Sequence, residues 1–391
     1  MRWIGLTLLA ACSFRGPQLG ADANGAPDGN AITADASQCV ATEVVASKAH
    51  TCAMRADGYL WCWGGNDQGE SGTVPIASGA CPVFPSSCVP LPMHVALPAA
   101  ASAIALGATD TCAIAGATTY CWGADDAEEF GDSGAGDAYA PRAVPLRAGA
   151  TAAAIGVQHV CSIDDAQGHV ECSGHNARGE VGDNSNVPRA VPTRVMGILG
   201  ATALGLGDYH GCAIVSGQIW CWGDNEQLQL APDRNVADYD FPVAVPGIAT
   251  AVEVAGGDTH TCARLTDGTV RCWGAGGYGQ LGNDTFPIAS SQVISVPIAN
   301  VVAVRTGNIH TCALDTGGGV SCWGAGLAGH PIGIPLAHPA ISLAAGGDHD
   351  CAALTDGSVW CWGSNDHGQL GDGTTTSPLG RTTAVRSKLC L

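Results

Sequence analysis

Residues 349–371, HDCAALTDGSVWCWGSNDHGQLG, read as a β-hairpin followed by a glycine-punctuated loop. Asp356-Gly357 is a turn signal flanked by short runs rich in Val, Leu and Trp. Cys351 and Cys361 sit at equal distances either side of Asp356. A three-residue loop of Thr355, Asp356 and Gly357 sets them directly opposite one another on paired strands, a separation that suits a disulfide.

The same unit recurs six more times, with the pairs Cys52/Cys62, Cys112/Cys121, Cys161/Cys172, Cys212/Cys221, Cys262/Cys272 and Cys312/Cys322. Where the spacing shrinks by one, the turn has lost a residue, as at Gly116-Ala117 and Ser216-Gly217. Where it grows by one, the turn is the longer Asp165-Ala166-Gln167-Gly168. Turn length drifts while cross-strand register holds, so each pair reads as a covalent rung. Zinc sites favour cysteine spacings of about two to four, and these are wider.

The composition agrees with a repeat array of turns and strands. Among 391 residues there are 55 Gly and 21 Pro but only 16 Lys plus Arg, and no helical period stands out. Nineteen cysteines point to an oxidising compartment. A formal charge of −19 repels nucleic acid backbones and anionic lipid headgroups, which excludes nucleic acid as the expected partner.

Met1 and Arg2 precede an apolar segment from Ile4 to Ala11 that is too short to span a bilayer. Leu9-Ala10-Ala11-Cys12 resembles the lipobox of bacterial lipoproteins, in which the cysteine carries the lipid. That resemblance implies a signal peptide over 1–12, lipid attachment at Cys12 and, with Ser13 following, an outer-membrane anchor. The alternative is an ordinary secretory signal. Residues 13–38 are small, polar and rich in Gly, Pro and Asp, which reads as a flexible tether.

First cysteines of successive pairs lie 60, 49, 51, 50, 50 and 39 residues apart, a period of about 50. Within the repeat, HTCA, DG, CWG and GQLG recur in fixed order. These motifs resemble the regulator of chromosome condensation repeat, over residues 39–391. The resemblance implies an all-β, seven-bladed β-propeller of four short strands per blade. Two repeats depart from the pattern. The third has Cys172-Ser173-Gly174 in place of CWG, and the sixth, after Trp323-Gly324, lacks GQLG and is short. Aligning the repeats sets the C-terminal TTAVRSKLC beside the PVAVPGI strand that opens a repeat, so the C-terminus is expected to supply a strand the first repeat lacks. A Cys39–Cys390 disulfide would then staple the ring. Cys81 and Cys88 lie in the one large insertion, 73–92, and suit a small disulfide-closed loop.

Several residue sets invite a chemical reading. His50, His159, His210, His260, His310 and His349 recur two before the first cysteine, with Asp110 in the second repeat. Equivalent positions of a seven-fold ring stand too far apart to share an ion, so these residues are expected to satisfy buried backbone groups. The CWG tryptophans Trp63, Trp122, Trp222, Trp273, Trp323 and Trp362 are expected to pack between blades. Trp61, Trp220 and Trp360 alternate to the opposite face of the same strand and are candidates for partner contact. The apolar tip Val83-Phe84-Pro85 of the insertion is another. Acidic loops at 125–129 and 223–226 lack calcium-loop spacing and read as solvated charge. No catalytic, metal or cofactor motif is present.

The expected protein is a monomeric, non-catalytic, lipid-anchored scaffold of the bacterial cell envelope that binds a protein. Membrane contact is expected only through the lipid. The family's precedents are a eukaryotic guanine-nucleotide exchange factor on chromatin and a secreted bacterial inhibitor of β-lactamases. The alternatives are an enzyme or carbohydrate binder at the channel mouth, and an exchange factor like the namesake. Since the eighteen cysteines after Cys12 all have assigned partners, thiol labelling of denatured, unreduced mature protein should find none reactive. Labelling at two or more sites would overturn the pairing.

Overall fold

Short strands separated by glycine turns bury their apolar side chains only by stacking sheet on sheet. The computed structural model describes residues 40–75, 87–131, 136–144, 152–163, 167–230, 236–378 and 382–389. Cys12, Cys39, Cys81, Val83, Phe84, Pro85 and Cys390 lie outside them. Within them the chain forms seven four-stranded antiparallel sheets, each from strands consecutive in sequence, closed into a seven-bladed propeller. Blade five shows the plan: Ala251–Gly256 lines the central channel, followed outward by His260–Leu265, Val270–Ala275 and Ala289–Ser295. Its hairpin turn needs Gly268, which stands at φ +75°, while the Asp267 carboxylate accepts the Thr269 N–H.

The cysteine rungs form as the spacing predicts. Cys52 faces Cys62, Cys112 faces Cys121, Cys161 faces Cys172 and Cys212 faces Cys221 across paired strands. Cys262–Cys272, Cys312–Cys322 and Cys351–Cys361 repeat that register. Each pair is disulfide-bonded, with Cα atoms 4.1 Å apart. All of these cysteines are buried in the sheets. Sequence separations of 9, 10 and 11 give the same geometry, so the turn absorbs the difference. Cys88 is also disulfide-bonded and opens the outer strand of blade one.

Register holds only inside the hairpin, which narrows the expectation. Against the outer strand it slips just after Cys62, Cys121, Cys172, Cys221 and Cys272. Cys62 faces Met93 while Gly64 faces Val89, so the outer strand carries the extra residues as a bulge. The cause is the glycine of CWG. Gly64 stands at φ +108°, and a Cβ there would lie 2.5 Å from the Ala49 carbonyl oxygen.

The hydrophobic core is divided among the seams between blades. The seam of blades five and six holds Cys262, Val270, Cys272 and Leu281 from one side and Val301, Val304, Ala313 and Trp323 from the other. All six CWG tryptophans are fully buried, as expected of packing between blades. Each of five also donates its indole N–H to a loop carbonyl of the preceding blade. The acceptors are Gln369 for Trp63 (2.8 Å), Glu70 for Trp122 (3.0 Å), Glu180 for Trp222 (2.8 Å), Gln229 for Trp273 (2.7 Å) and Gln280 for Trp323 (2.9 Å). In blade three, Ser173 stands where tryptophan is missing and donates to the Glu129 carbonyl at 2.7 Å. The short sixth repeat lacks the GQLG loop, so Trp362 has no acceptor for its buried N–H among the described residues.

Ring closure differs from the expectation. Val385–Arg386 pairs with Val359–Gly363, setting Val385 opposite Cys361 and Arg386 opposite Trp360. It is therefore the outer strand of blade seven, and blade one lacks nothing. The same correction applies to PVAVPGI, whose first residues complete the outer strand of blade four rather than opening blade five. A strand pairs most readily with the strand just before it in sequence, since the loop closed is short. Blade seven meets blade one by packing and by cross-seam bonds. Trp63 and Thr51 both donate to the Gln369 carbonyl, and the Val44 N–H donates to Ser342 Oγ at 3.1 Å.

Trp273→Phe and Trp362→Phe remove the same atoms from equally buried sites, but only the first removes a hydrogen bond. Denaturant unfolding should show Trp273→Phe costing about 1 kcal/mol more. Equal losses would mean that the indole bond adds nothing.

Candidate functional site

Between its first two strands each blade makes a tight turn, Gly-x-x-His in most repeats. The first residue's N–H donates to the fourth residue's carbonyl, at 2.9 Å from Gly207 to His210. Glycine is required here because a Cβ on Gly207 would stand 2.1 Å from the His210 ring. Blade one has Ser47 instead, and its hydroxyl reaches His50 Nδ1 at 2.7 Å.

Sequence reasoning expects the recurrent histidines to satisfy backbone groups; five of the six instead reach a side chain of the next blade. Nε2 meets a threonine hydroxyl for His50–Thr111 (2.8 Å), His210–Thr261 (2.9 Å), His260–Thr311 (2.9 Å) and His349–Thr51 (2.6 Å). Each threonine donates its own proton to the loop carbonyl that also receives the tryptophan. The imidazole must therefore donate through Nε2–H. Burial pushes His50, His210 and His260 down to about 3, which keeps that neutral tautomer. His310 bonds Asp350 in the threonine's place, at 2.7 Å. These two lie beside Cys312, but its sulfur is bonded to Cys322 and offers no thiolate to a metal. The relay fails on both sides of blade three. Asp110 faces a blade with Val160 at the threonine position, and His159 faces one with Gly211. Both Asp110 oxygens and His159 Nε2 lack partners among the described residues.

The turns ring one mouth of the channel. Their second positions carry Lys48, Ala108, Val157, Asp208, Asp258, Asn308 and Gly347. Lys48 is one of two lysines in the chain. Its ammonium crosses from blade one to blades four and five, 2.6 Å from Asp208 and 3.9 Å from Asp258. Burial, and after it the Asp208 carboxylate, push Asp258 up to about 7. Burial works against the Lys48 charge, yet Asp208 and Asp258 hold the group above its ordinary range. Beside this bar, Arg178 lies 5.8 Å from the Tyr209 ring and pairs with Asp224 at 3.1 Å and Glu226 at 3.2 Å.

The loops after the third strands open on the same face, because His260 pairs with Gly274 at the strand end. In five of them an Asn or Asp closes the loop: Asn66, Asp125, Asn176, Asn225 and Asn365 each accept the N–H five residues on. Asp125 and Glu129 are consequently buried, as are Asp224 and Asn225, which corrects the reading of solvated charge for these four; Asp126 and Glu226 stay exposed, as that reading has it. The recurring Asn/Asp two residues after CWG was the signal. Blades one to three carry Glu70, Glu129 and Glu180 where others carry Gln229, Gln280 and Gln369, all buried. Each accepts a backbone N–H two residues back. Blade five's loop differs in exposing three large apolar residues, Tyr278 (61 %), Phe286 (58 %) and Ile288 (85 %). Phe286 rests over Gly279 and Gly329, at the edge of short blade six.

Trp61, Trp220 and Trp360 are half-buried and belong to three different seams. Trp61 stands edge-on to His94 at 5.5 Å, and the Trp360 indole donates to Ser358 Oγ. They form no common surface.

The model described as "Regulator of chromosome condensation (RCC1) repeat" matches residues 216–264 and 267–314, and a second of the same description matches 41–70, 251–280 and 340–369. The mitochondrial RCC1 domain-containing protein RUG3 of Arabidopsis thaliana is 27 % identical over 251 residues, 59 % of this chain and 53 % of that one. The ultraviolet-B receptor UVR8 of the same plant is 27 % identical over 252 residues, 61 % of this chain and 54 % of the receptor. The chain thus matches about half the length of these two relatives. Among solved structures, human WBSCR16 aligns with a TM-score of 0.73 at 20 % identity, covering 84 % of this chain and 94 % of that one. Yeast RCC1 (Prp20), bound to Kap60, aligns with 0.72 at 18 % identity, covering 99 % and 92 %.

Burial raises Glu70 from 4.5 to about 7, with Asp67 adding to the rise. A raised carboxyl costs nothing below its unfolded value, and its cost grows as pH climbs toward the folded value. Glu70→Gln, the residue of three other blades, should therefore raise the melting temperature at pH 8 and leave it nearly unchanged at pH 5. Thermal unfolding at both values checks this, and an equal effect at each would contradict it.

Proposed function

This chain carries RCC1 repeats closed into a seven-bladed propeller, and we propose that it is a non-catalytic scaffold holding a protein partner at the bacterial cell envelope. The observation that carries the reading is the blade-five loop, which displays Tyr278, Phe286 and Ile288 to solvent, where the described parts of the blade-one, blade-three and blade-four loops each expose a single valine, Val74, Val187 or Val236. Apolar side chains of this size on one loop, bordered by a shortened blade, form a raised contact rather than part of the core. Their seat is stiff, because the loop starts from a disulfide-bonded hairpin and its Leu281 is buried in the seam. A stiff, pre-formed contact loses little entropy on docking. The yeast relative bound to Kap60 gives a precedent for a protein partner on this fold.

The envelope setting rests on Leu9-Ala10-Ala11-Cys12 and its likeness to a lipobox. Seven disulfides favour the same setting, since such bonds are rare where glutathione keeps thiols reduced. That chemistry weighs against guanine-nucleotide exchange of the namesake's kind.

Replacing Tyr278, Phe286 and Ile288 together by Ser should leave thermal stability nearly unchanged and abolish capture of the protein retained by the unaltered chain from envelope extracts. A captured partner that binds both forms equally would move the contact off this loop.

A further inference from the structure

The innermost strands of all seven blades line a chamber of about 330 Å³ behind the Lys48 mouth. Every side chain lining it is aliphatic except Glu253 and Arg305, and those two pair with each other. Glu253 also takes Arg264 at 2.9 Å, and Glu43 stands near enough to Arg305 to feel its charge, so two carboxylates offset the two guanidiniums at this wall. Val45, Leu106 and Leu204 remain half-exposed to the chamber. The chamber runs into the mouth cavity, for Ala46, Leu106, Ile155, Leu206 and Ala345 line both. At the mouth one ammonium, Lys48, faces two carboxylates, Asp208 and Asp258. The channel therefore offers an aliphatic passage below and a surplus of negative charge above, two requirements that a single kind of molecule meets.

We infer that the channel is a binding site for an aliphatic primary amine, its ammonium joining Lys48 at the Asp208–Asp258 pair and its hydrocarbon stem lying along the strands within. An innermost strand of six residues spans roughly 20 Å, room for an eight-carbon stem. The cation is selected because both carboxylates stand on one side of the ring, where an anionic head would meet repulsion and find Lys48 already engaged. The stem is selected because it displaces water from aliphatic walls. Two sources share this chemistry: a free alkylamine, or a lysine side chain carried by a protein partner. The site is separate from the blade-five loop, and either can fail without the other.

Isothermal titration of the full chain at pH 8 with octylammonium, ethylammonium, octyl sulfate and Nα-acetyl-lysine amide tests the inference. Octylammonium should bind one to one, at least tenfold tighter than ethylammonium or octyl sulfate. Binding of the lysine amide at comparable strength would identify a presented lysine as the natural source, and its failure to bind would identify a free amine. Asp208→Asn should weaken octylammonium about tenfold, and Leu204→Trp should block it by filling the passage. Lys48→Ala should tighten it, an outcome that misfolding does not imitate. No octylammonium binding, equal binding of octyl sulfate, or indifference to both Leu204→Trp and Lys48→Ala would overturn the inference.

Discussion

Each complete seam is organised on one backbone carbonyl. In the seam of blades four and five the Gln229 carbonyl receives two protons from the next blade, one from the Trp273 indole and one from the Thr261 hydroxyl. His210 of the earlier blade then closes on Thr261. A carbonyl has two lone pairs and this one fills both, so the loop, the neighbouring blade and the channel-side turn are fixed together. Packing alone would let sheets slide over one another, since dispersion has no direction. The carbonyl supplies the direction, and burial makes the loss of any member costly.

The seams where this arrangement is incomplete mark the irregular parts of the ring. Blade three has lost its tryptophan and its threonine together, with Ser173 and Val160 in their places, and Asp110 opposite takes the histidine's position. The substitutions do not compensate one another: among the described residues both Asp110 oxygens opposite Val160 and His159 Nε2 facing Gly211 are left without partners. Blade six lost its loop and so the acceptor itself. Asp350 now stands at the threonine position and takes His310, while Trp362 is left with packing alone. The exposed apolar loop of blade five borders that gap.

Much of the ring was legible in the chain because the repeat is short and its markers are local. A cysteine, a turn and a second cysteine lie within a dozen residues, so hairpin register could be read directly. The slip beyond Cys62, Cys121 or Cys221 could not, since it depends on how a more distant strand meets the CWG glycine. The CWG tryptophans were legible because their recurrence left only the seams as a common environment. The partners of the histidines were not, since His50 and Thr111 are 61 residues apart and a column of threonines reads as unremarkable strand sequence. Lys48 and Asp208 were still less legible: they are 160 residues apart, occupy a repeat position whose residue type changes from blade to blade, and meet only because the ring closes. The frame of the blades was misread at PVAVPGI because adjacency in sequence does not say on which side a strand pairs.

The seven covalent rungs all join cysteines of one hairpin, so none of them records that the chain is circular. A thiol emerging into an oxidising solution finds its proper partner about ten residues behind it, and a loop that short closes in well under a microsecond. Oxidation can therefore keep pace with synthesis, hairpin by hairpin, before the competing cysteines of later blades exist. The chain would reach its full length as a string of finished clasps with the correct connectivity already chosen. For these fourteen cysteines what remains is a docking problem without redox chemistry, the mutual alignment of pre-knotted sheets in which the first and last blades must meet.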